Sequence, residues 1–195
     1  MDIVQAGDPV LRRRATEVPL DALASPFVQQ LIATMIQTMR AAPGVGLAAP
    51  QVGESLRIIV MEDDDETQWA AMSDARRLEL GRRRLVLQVV VNPVIELLGE
   101  ETEEFFEGCL SVDGYRAIVR RAARVRLAGV DEKGEPVNLE LEGWPARIAQ
   151  HECDHLDGLL YVDRMHSLTL TTAANLDRWW KARPAEEVRR ALEAG

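Results

Sequence analysis

Histidine and cysteine are scarce in this chain, with 3 and 2 residues in 195. Cys109 and Cys153 alone cannot build a disulfide framework, and Cys153 lies inside the histidine motif described below. A reduced compartment and a ligand role for one cysteine fit better than a bridge. Long apolar runs are also missing: the longest, Leu85 to Val91, is interrupted by Gln88 and is far too short to cross a bilayer. The opening Met1-Asp2-Ile3-Val4-Gln5 has neither the basic nor the apolar region of a secretory signal, so a cytoplasmic location is expected. Positive charge is in deficit, 23 basic against 32 acidic residues for a net −9, which argues against nucleic acid or an anionic membrane as the main partner. The clusters Arg12-Arg13-Arg14 and Arg82-Arg83-Arg84 read as solvated surface or local pairing. Repeats and low-complexity tracts are absent. With 47 % hydrophobic and 28 % charged residues, the chain reads as one globular domain, 1–195, large enough to bury a core without staples.

Gly7-Asp8-Pro9 ends a short extended start with a turn signal. Ser25-Pro26 opens a helix whose Val28, Leu31, Ile32, Met35, Ile36 and Met39 fall at helical spacing, a core stripe that stops before Pro43-Gly44. The segment Gly44 to Gly53 imitates a dinucleotide fingerprint. A helix precedes it and Pro50 blocks one from following, so it reads instead as a loop with one polar donor, Gln51. Strands are expected over Leu56–Met61 and over Leu85–Val91, the second closed by Asn92-Pro93. Residues 62–84 between them are acidic first and basic last, which suggests a surface insertion with a short helix near Thr67 to Leu80. After Gly99 an acidic loop, Glu100 to Glu104, leads to Phe105-Phe106 and Glu107-Gly108-Cys109-Leu110-Ser111-Val112. The clearest hairpin is Arg124–Val130 with Pro136–Glu142. Two amphipathic helices are expected in the tail, 166–195, around Leu168 to Trp180 and Pro184 to Ala194.

The stretch with the most chemistry is Gln150-His151-Glu152-Cys153-Asp154-His155, placed on a helix by Trp144-Pro145 before it and Gly158 after it. Histidines four apart share one helical face, roughly 5–6 Å apart at Cβ, and can reach one ion. Glu152, next to the first of them, is free to hold a water and move its proton, which makes the pattern a hydrolase hypothesis. A third ligand must come from elsewhere. The extended metalloprotease pattern would place a histidine where Tyr161 stands; His166 and Cys109 are the other candidates. Asp154 and Gln150 are candidates to orient a ligand through outer hydrogen bonds. A zincin-like peptidase and a structural metal module are the rival readings.

Three segments in order, Gly44-Val45-Gly46-Leu47-Ala48-Ala49-Pro50-Gln51, Glu107-Gly108-Cys109-Leu110-Ser111 and Gln150 to His155, resemble the peptide deformylase family, and Gly7-Asp8-Pro9-Val10-Leu11-Arg12 is similar too. The likeness covers about residues 3–165. It implies an α+β fold with antiparallel sheets wrapped around a central H-E-x-x-H metal-binding helix and an N-terminal helix packed on the core. It implies Cys109, His151 and His155 as ligands of one divalent ion, ferrous iron first and zinc as the alternative. Glu152 would be the general acid/base, with Gln51 and the backbone N–H of Leu110 as oxyanion donors. The Gly46 backbone would accept the formamide N–H, Arg116 would lie near the peptide backbone, and Trp144, Arg147 and Ile148 near the methionine pocket. The implied partners are N-formylmethionyl nascent peptides, with ribosome association, as monomer or homodimer. Asp113-Gly114-Tyr115 replaces a turn that often carries proline in the family, and residues 62–84 are long for its simplest members.

Overall fold

The computed structural model describes residues 1–42, 44–64, 66–73, 77, 78 and 80–194, with backbone alone at 67, 68 and 71. The apolar stripe after Ser25 forms α1, Pro26–Ala41. The Ser25 hydroxyl accepts from the Val28 N–H at 3.4 Å, and Pro26 occupies a first-turn position whose N–H would have had no partner. Val28, Leu31, Met35 and Met39 pack against Leu47, Ile58, Val60 and Val91, which sets this helix on the core as expected. Pro43, the expected stop, lies outside the described residues.

Among the described residues eight strands follow: β1 (Gly46–Ala48), β2 (Ile58–Asp63), β3 (Leu85–Leu97), β4 (Thr102–Cys109), β5 (Val112–Ala122), β6 (Arg124–Val130), β7 (Pro136–Glu142) and β8 (Thr171–Thr172). They form a five-stranded sheet, β1-β2-β3-β6-β7, and a three-stranded sheet, β4-β5-β8, with antiparallel pairing in both. The β6–β7 hairpin has the bounds expected from its alternation. Three other expectations need correction. The glycine segment taken as a loop contains β1, which pairs with β2, followed by a 3-10 turn over Ala49–Val52. β3 does not end at Asn92-Pro93 but continues to Leu97: Asn92 adopts φ 52°, the register shifts between Val91 and Val94, and the Asn92 side chain bonds the N–H and C=O of Val18 at 2.8 and 2.9 Å. A bulge thus absorbs a proline that cannot donate to a regular ladder. Glu100 to Glu104, taken as an acidic loop, runs into β4. Glu103 and Glu104 stand opposite Arg121 and Arg120 of β5, so charge that suggested solvent is cross-strand complementarity.

The H-E-x-x-H stretch lies on α3, Trp144–Leu156, where every residue from Pro145 to Leu156 except His151 is buried. Strands of both sheets pack on it, β1, β2, β3, β6 and β7 from the larger sheet and β5 from the smaller. A helix this buried can carry polar residues only if they are paired. Gln150 exchanges hydrogen bonds with the N–H and C=O of Ala122 at 3.0 and 2.9 Å, and Asp154 is held by Arg121 and Arg164.

Gly81 meets the start of this helix, its carbonyl accepting from the Trp144 N–H at 3.3 Å. Of the helix expected near Thr67 to Leu80, the element α2 covers Glu66–Ala71, and 74–76 and 79 lie outside the described residues. Arg82 forms a forked pair with Asp63 at 2.7 and 2.5 Å, with side chains 9 % and 1 % exposed. The chain then crosses the start of α3, where Gly143 takes φ 63° and a Cβ on it would sit 2.7 Å from the Gly81 oxygen. Removing one partner of a buried ion pair strands the other, at a cost of ~3–5 kcal/mol. Arg82→Ala is therefore expected to lower the urea midpoint by that equivalent, with an unchanged m-value.

In the tail, the helix expected over Leu168 to Trp180 is divided into a 3-10 turn (Ser167–Thr169), β8, a helical turn (Ala173–Asn175) and a π turn (Leu176–Trp180). The second expected helix is α4, Ala185–Glu193, whose Ala185 and Val188 pack on Ile118 of β5. Among the described residues no helix is long and apolar enough to cross a membrane.

Candidate active site

One turn of α3 separates His151 from His155 and brings their ring centroids to 5.1 Å. Cys109, the last residue of β4, places its Sγ 3.2 Å from His155 Nε2. One donor atom from each of Cys109, His151 and His155 lies within 4.8 Å of the other two, a group able to hold a metal ion. The chemistry of the set suits such an ion: two imidazoles and a thiol, inside the protein, on rigid elements. His166, the other sequence candidate, instead meets Glu104 at 3.3 Å. Tyr161, which denied the extended motif, is buried and stacks on the His151 ring at 6.2 Å.

The outer partner of the site is Glu107, which the sequence reading missed. Its Oε2 lies 2.9 Å from His151 Nδ1, which leaves Nε2 of that ring for a metal. Residues two apart in a strand share a face, so Glu107 and Cys109 of β4 were identifiable as neighbours once the strand was known. Asp154 and Gln150 do not take the expected orienting role; their partners are arginines and backbone groups. Glu107 is itself buried and held by Arg121 at 3.0 Å through two nitrogens and by Arg147 at 2.6 Å. Burial alone would raise its pKa, but hydrogen bonds from His151 and Arg121 outweigh that and keep the carboxyl far below its usual range. Glu107→Gln is expected to weaken metal affinity about 10–100-fold, measured by chelator competition, with loss of stability because Arg121 and Arg147 lose a charged partner.

Gln51 sits on the 3-10 turn after β1 and is buried. Its Oε1 accepts from the Ala48 N–H at 2.9 Å, which turns Nε2 toward Cys109 Sγ at 3.5 Å and Ser111 Oγ at 3.3 Å. Leu110 follows the cysteine at the same wall. Glu152 is buried beside Gly46: a Cβ on Gly46 would fall 2.3 Å from Glu152 Oε1, so this position admits only glycine while the carboxyl stays in place. Burial pushes the Glu152 carboxyl up to about 7, and its Oε2 has no hydrogen-bond partner among the described residues. His155 is held well below the ordinary histidine range by burial and by His151. Burial would lower His151 too, but Cys109 and Glu107 outweigh it and the ring stays above that range.

These groups meet at a cavity of about 330 Å³. Gly46, Gln51, Cys109, Leu110, His151 and Glu152 line its chemical end, and Trp144, Arg147, Ile148 and Arg116 complete the wall; His155 lies behind it, fully buried. The Arg147 guanidinium is engaged by Glu107, by Val119 O at 3.0 Å and by Glu103 O at 2.7 Å. Arg116 lies across Gly108, with Nη1 donating to Tyr115 O at 2.7 Å. Asp113, from the turn that departs from the family pattern, also borders the cavity.

A family model described as polypeptide deformylase matches residues 1–170. The chloroplastic peptide deformylase 1A of Solanum lycopersicum is 49 % identical over 176 residues, covering 90 % of this chain and 63 % of that protein. The chain thus spans less than two thirds of that plant relative. Peptide deformylase 3 of Streptomyces avermitilis is 46 % identical over 193 residues, covering 98 % of this chain and 83 % of the relative. Among solved structures, the Met-Ala-Ser-bound class I type b peptide deformylase from Acinetobacter baumannii superposes with a TM-score of 0.75 at 34 % identity, over 85 % of this chain and 98 % of that one.

Proposed function

This chain belongs to the polypeptide deformylase family, and on that premise we propose that it removes the N-terminal formyl group from N-formylmethionyl peptides and releases formate. The observation that carries the reading is the convergence of Cys109, His151 and His155 beside the Gln51 amide and the Glu152 carboxyl, whose Oε2 has no partner among the described residues. Cys109, His151 and His155 would hold one divalent ion, ferrous iron first and zinc as the alternative. When bound, that ion supplies Lewis acidity, polarising a carbonyl and lowering the pKa of water toward ~7.

The remaining work falls to the chain's own groups. As water attacks the formyl carbon, negative charge grows on the formyl oxygen. Gln51 Nε2 and the Leu110 N–H are the donors for it; one such donor is typically worth ~10²–10³ in rate. Gln51 is held for this by the Ala48 N–H, so little reorganisation is needed during reaction. Glu152, with its pKa near 7, takes the proton from the attacking water and returns it to the amine nitrogen as the C–N bond breaks. Gly46, lacking a side chain, lets the formamide N–H approach its backbone. Trp144, Ile148 and the methylenes of Arg147 suit an uncharged methionine side chain, because the Arg147 guanidinium is already engaged by Glu107 and two backbone carbonyls.

The same reading places the enzyme in the cytoplasm beside the ribosome, as monomer or homodimer, wherever chains begin with formylmethionine. Incubating metal-loaded protein with a formyl-Met tripeptide tests it. Formate release with the peptide chain intact is expected. Internal cleavage without formate would favour the zincin-like peptidase and sink the proposal.

A further inference from the structure

A second cleft, of about 720 Å³, borders the catalytic cavity and shares Phe106, Arg116 and Trp144 with it as common wall. One side is the excursion after β2, through Leu80 and Arg82; the other is the C-terminal tail, through Trp180 and Arg183. Its charges are not equivalent. Arg82 is neutralised by buried Asp63, and Lys181 by Asp177 at 3.0 Å. Arg116 and Arg183 have no carboxylate partner among the described residues: Arg116 bonds the Tyr115 carbonyl, and Arg183 is seated over the Trp180 ring at 5.6 Å. Among the described residues, then, a chain of net charge −9 keeps two guanidinium groups without a carboxylate partner in the cleft next to its catalytic centre.

We propose that this cleft receives the substrate chain downstream of its formylmethionine and favours acidic side chains there, a preference that rests on the deformylase reading above. A peptide with its first residue in the cavity reaches this cleft by running past Phe106 and Arg116, advancing ~3.3 Å per extended residue. Leu176 and Trp180 offer apolar surface to its methylenes, and the two guanidinium groups offer forked donors to a carboxylate. Lysine at the same place meets two like charges and loses the pairing. Of the two groups, Arg116 lies on β5 and Arg183 in the tail, a part of the chain that the catalytic residues do not need.

The test is kcat/KM of the metal-loaded enzyme for formyl-Met pentapeptides carrying aspartate, alanine or lysine in turn at the third, fourth and fifth residues. At low ionic strength, aspartate is expected to exceed lysine about five- to tenfold at one or more positions, mainly through KM. The ratio should shrink by half or more at about 0.5 M salt, where charges are screened over a few ångströms. Arg183→Gln should bring it to about two, and Arg183→Glu should invert it. Equal kcat/KM for aspartate and lysine peptides, with formate released from both, overturns the inference and leaves the deformylase reading standing. A full ratio retained in Arg183→Gln overturns the assignment to this cleft. Absence of formate from every peptide is a different result, one that removes the underlying activity. The wild-type comparison decides the first question even if a variant fails to fold.

Discussion

Glu152→Gln is expected to lower kcat for a formyl-Met peptide by about 10²–10⁴-fold while the protein stays folded and keeps its metal. The carboxyl is buried at the cavity and forms no ion pair among the described residues. Arg121 and Arg147 are committed to Glu107, and Glu152 Oε2 is unpaired among the described residues. Burial holds its pKa at about 7, where it changes protonation readily, which is the property a proton shuttle needs. Glutamine keeps the shape against Gly46 and the capacity to hold a water, but cannot accept and return a proton. The check is single-turnover formate release beside metal content and thermal midpoint. A variant within threefold of wild type would remove Glu152 from the mechanism, whereas lost metal would recast it as a structural or ligand residue.

The second large effect is expected at Cys109. Cys109→Ala should abolish stoichiometric metal binding and, with it, formate release, because two histidines alone make too few donors for a catalytic ion. The loss should exceed the ~10–100-fold that follows from removing an outer hydrogen bond. Cys153→Ala is the matched control. Cys153 lies on the same helix between the histidines, yet it packs with Ile59, Leu127 and Ile148 in the core, and burial pushes its thiol up to about 12. It should keep the metal and lose only some packing. Metal retained in Cys109→Ala would restore the peptidase alternative with an unidentified third ligand.

Local signals carried much of the fold. The cap at Ser25-Pro26, the 3.6-residue stripe after it, the alternation of β6 and β7 and the Gly158 stop of α3 are each decided within a few residues, so they were readable one segment at a time. The errors have a common cause. Asn92-Pro93 ends a strand by local rules, but Val18, distant in sequence, supplies the backbone groups that make it a bulge. Glu103 and Glu104 look like solvent-facing charge until Arg121 and Arg120 stand across from them.

The site divides in the same way. Sequence by itself determined the H-E-x-x-H helix and the hydrolase hypothesis, since two histidines and a glutamate at fixed helical offsets need no tertiary information. The resemblance of three ordered segments extended this to Cys109, Gln51 and Leu110. Only the tertiary structure decided that Glu107, rather than Asp154 or Gln150, orients His151, and that Arg147 is already engaged. It also decided that Leu80 and Arg82, with Trp180 and Arg183 of the tail, line a cleft beside the cavity. Those facts depend on side chains meeting across strands and sheets. Charge pairing and burial are properties of neighbours in space, and a chain read residue by residue does not contain them.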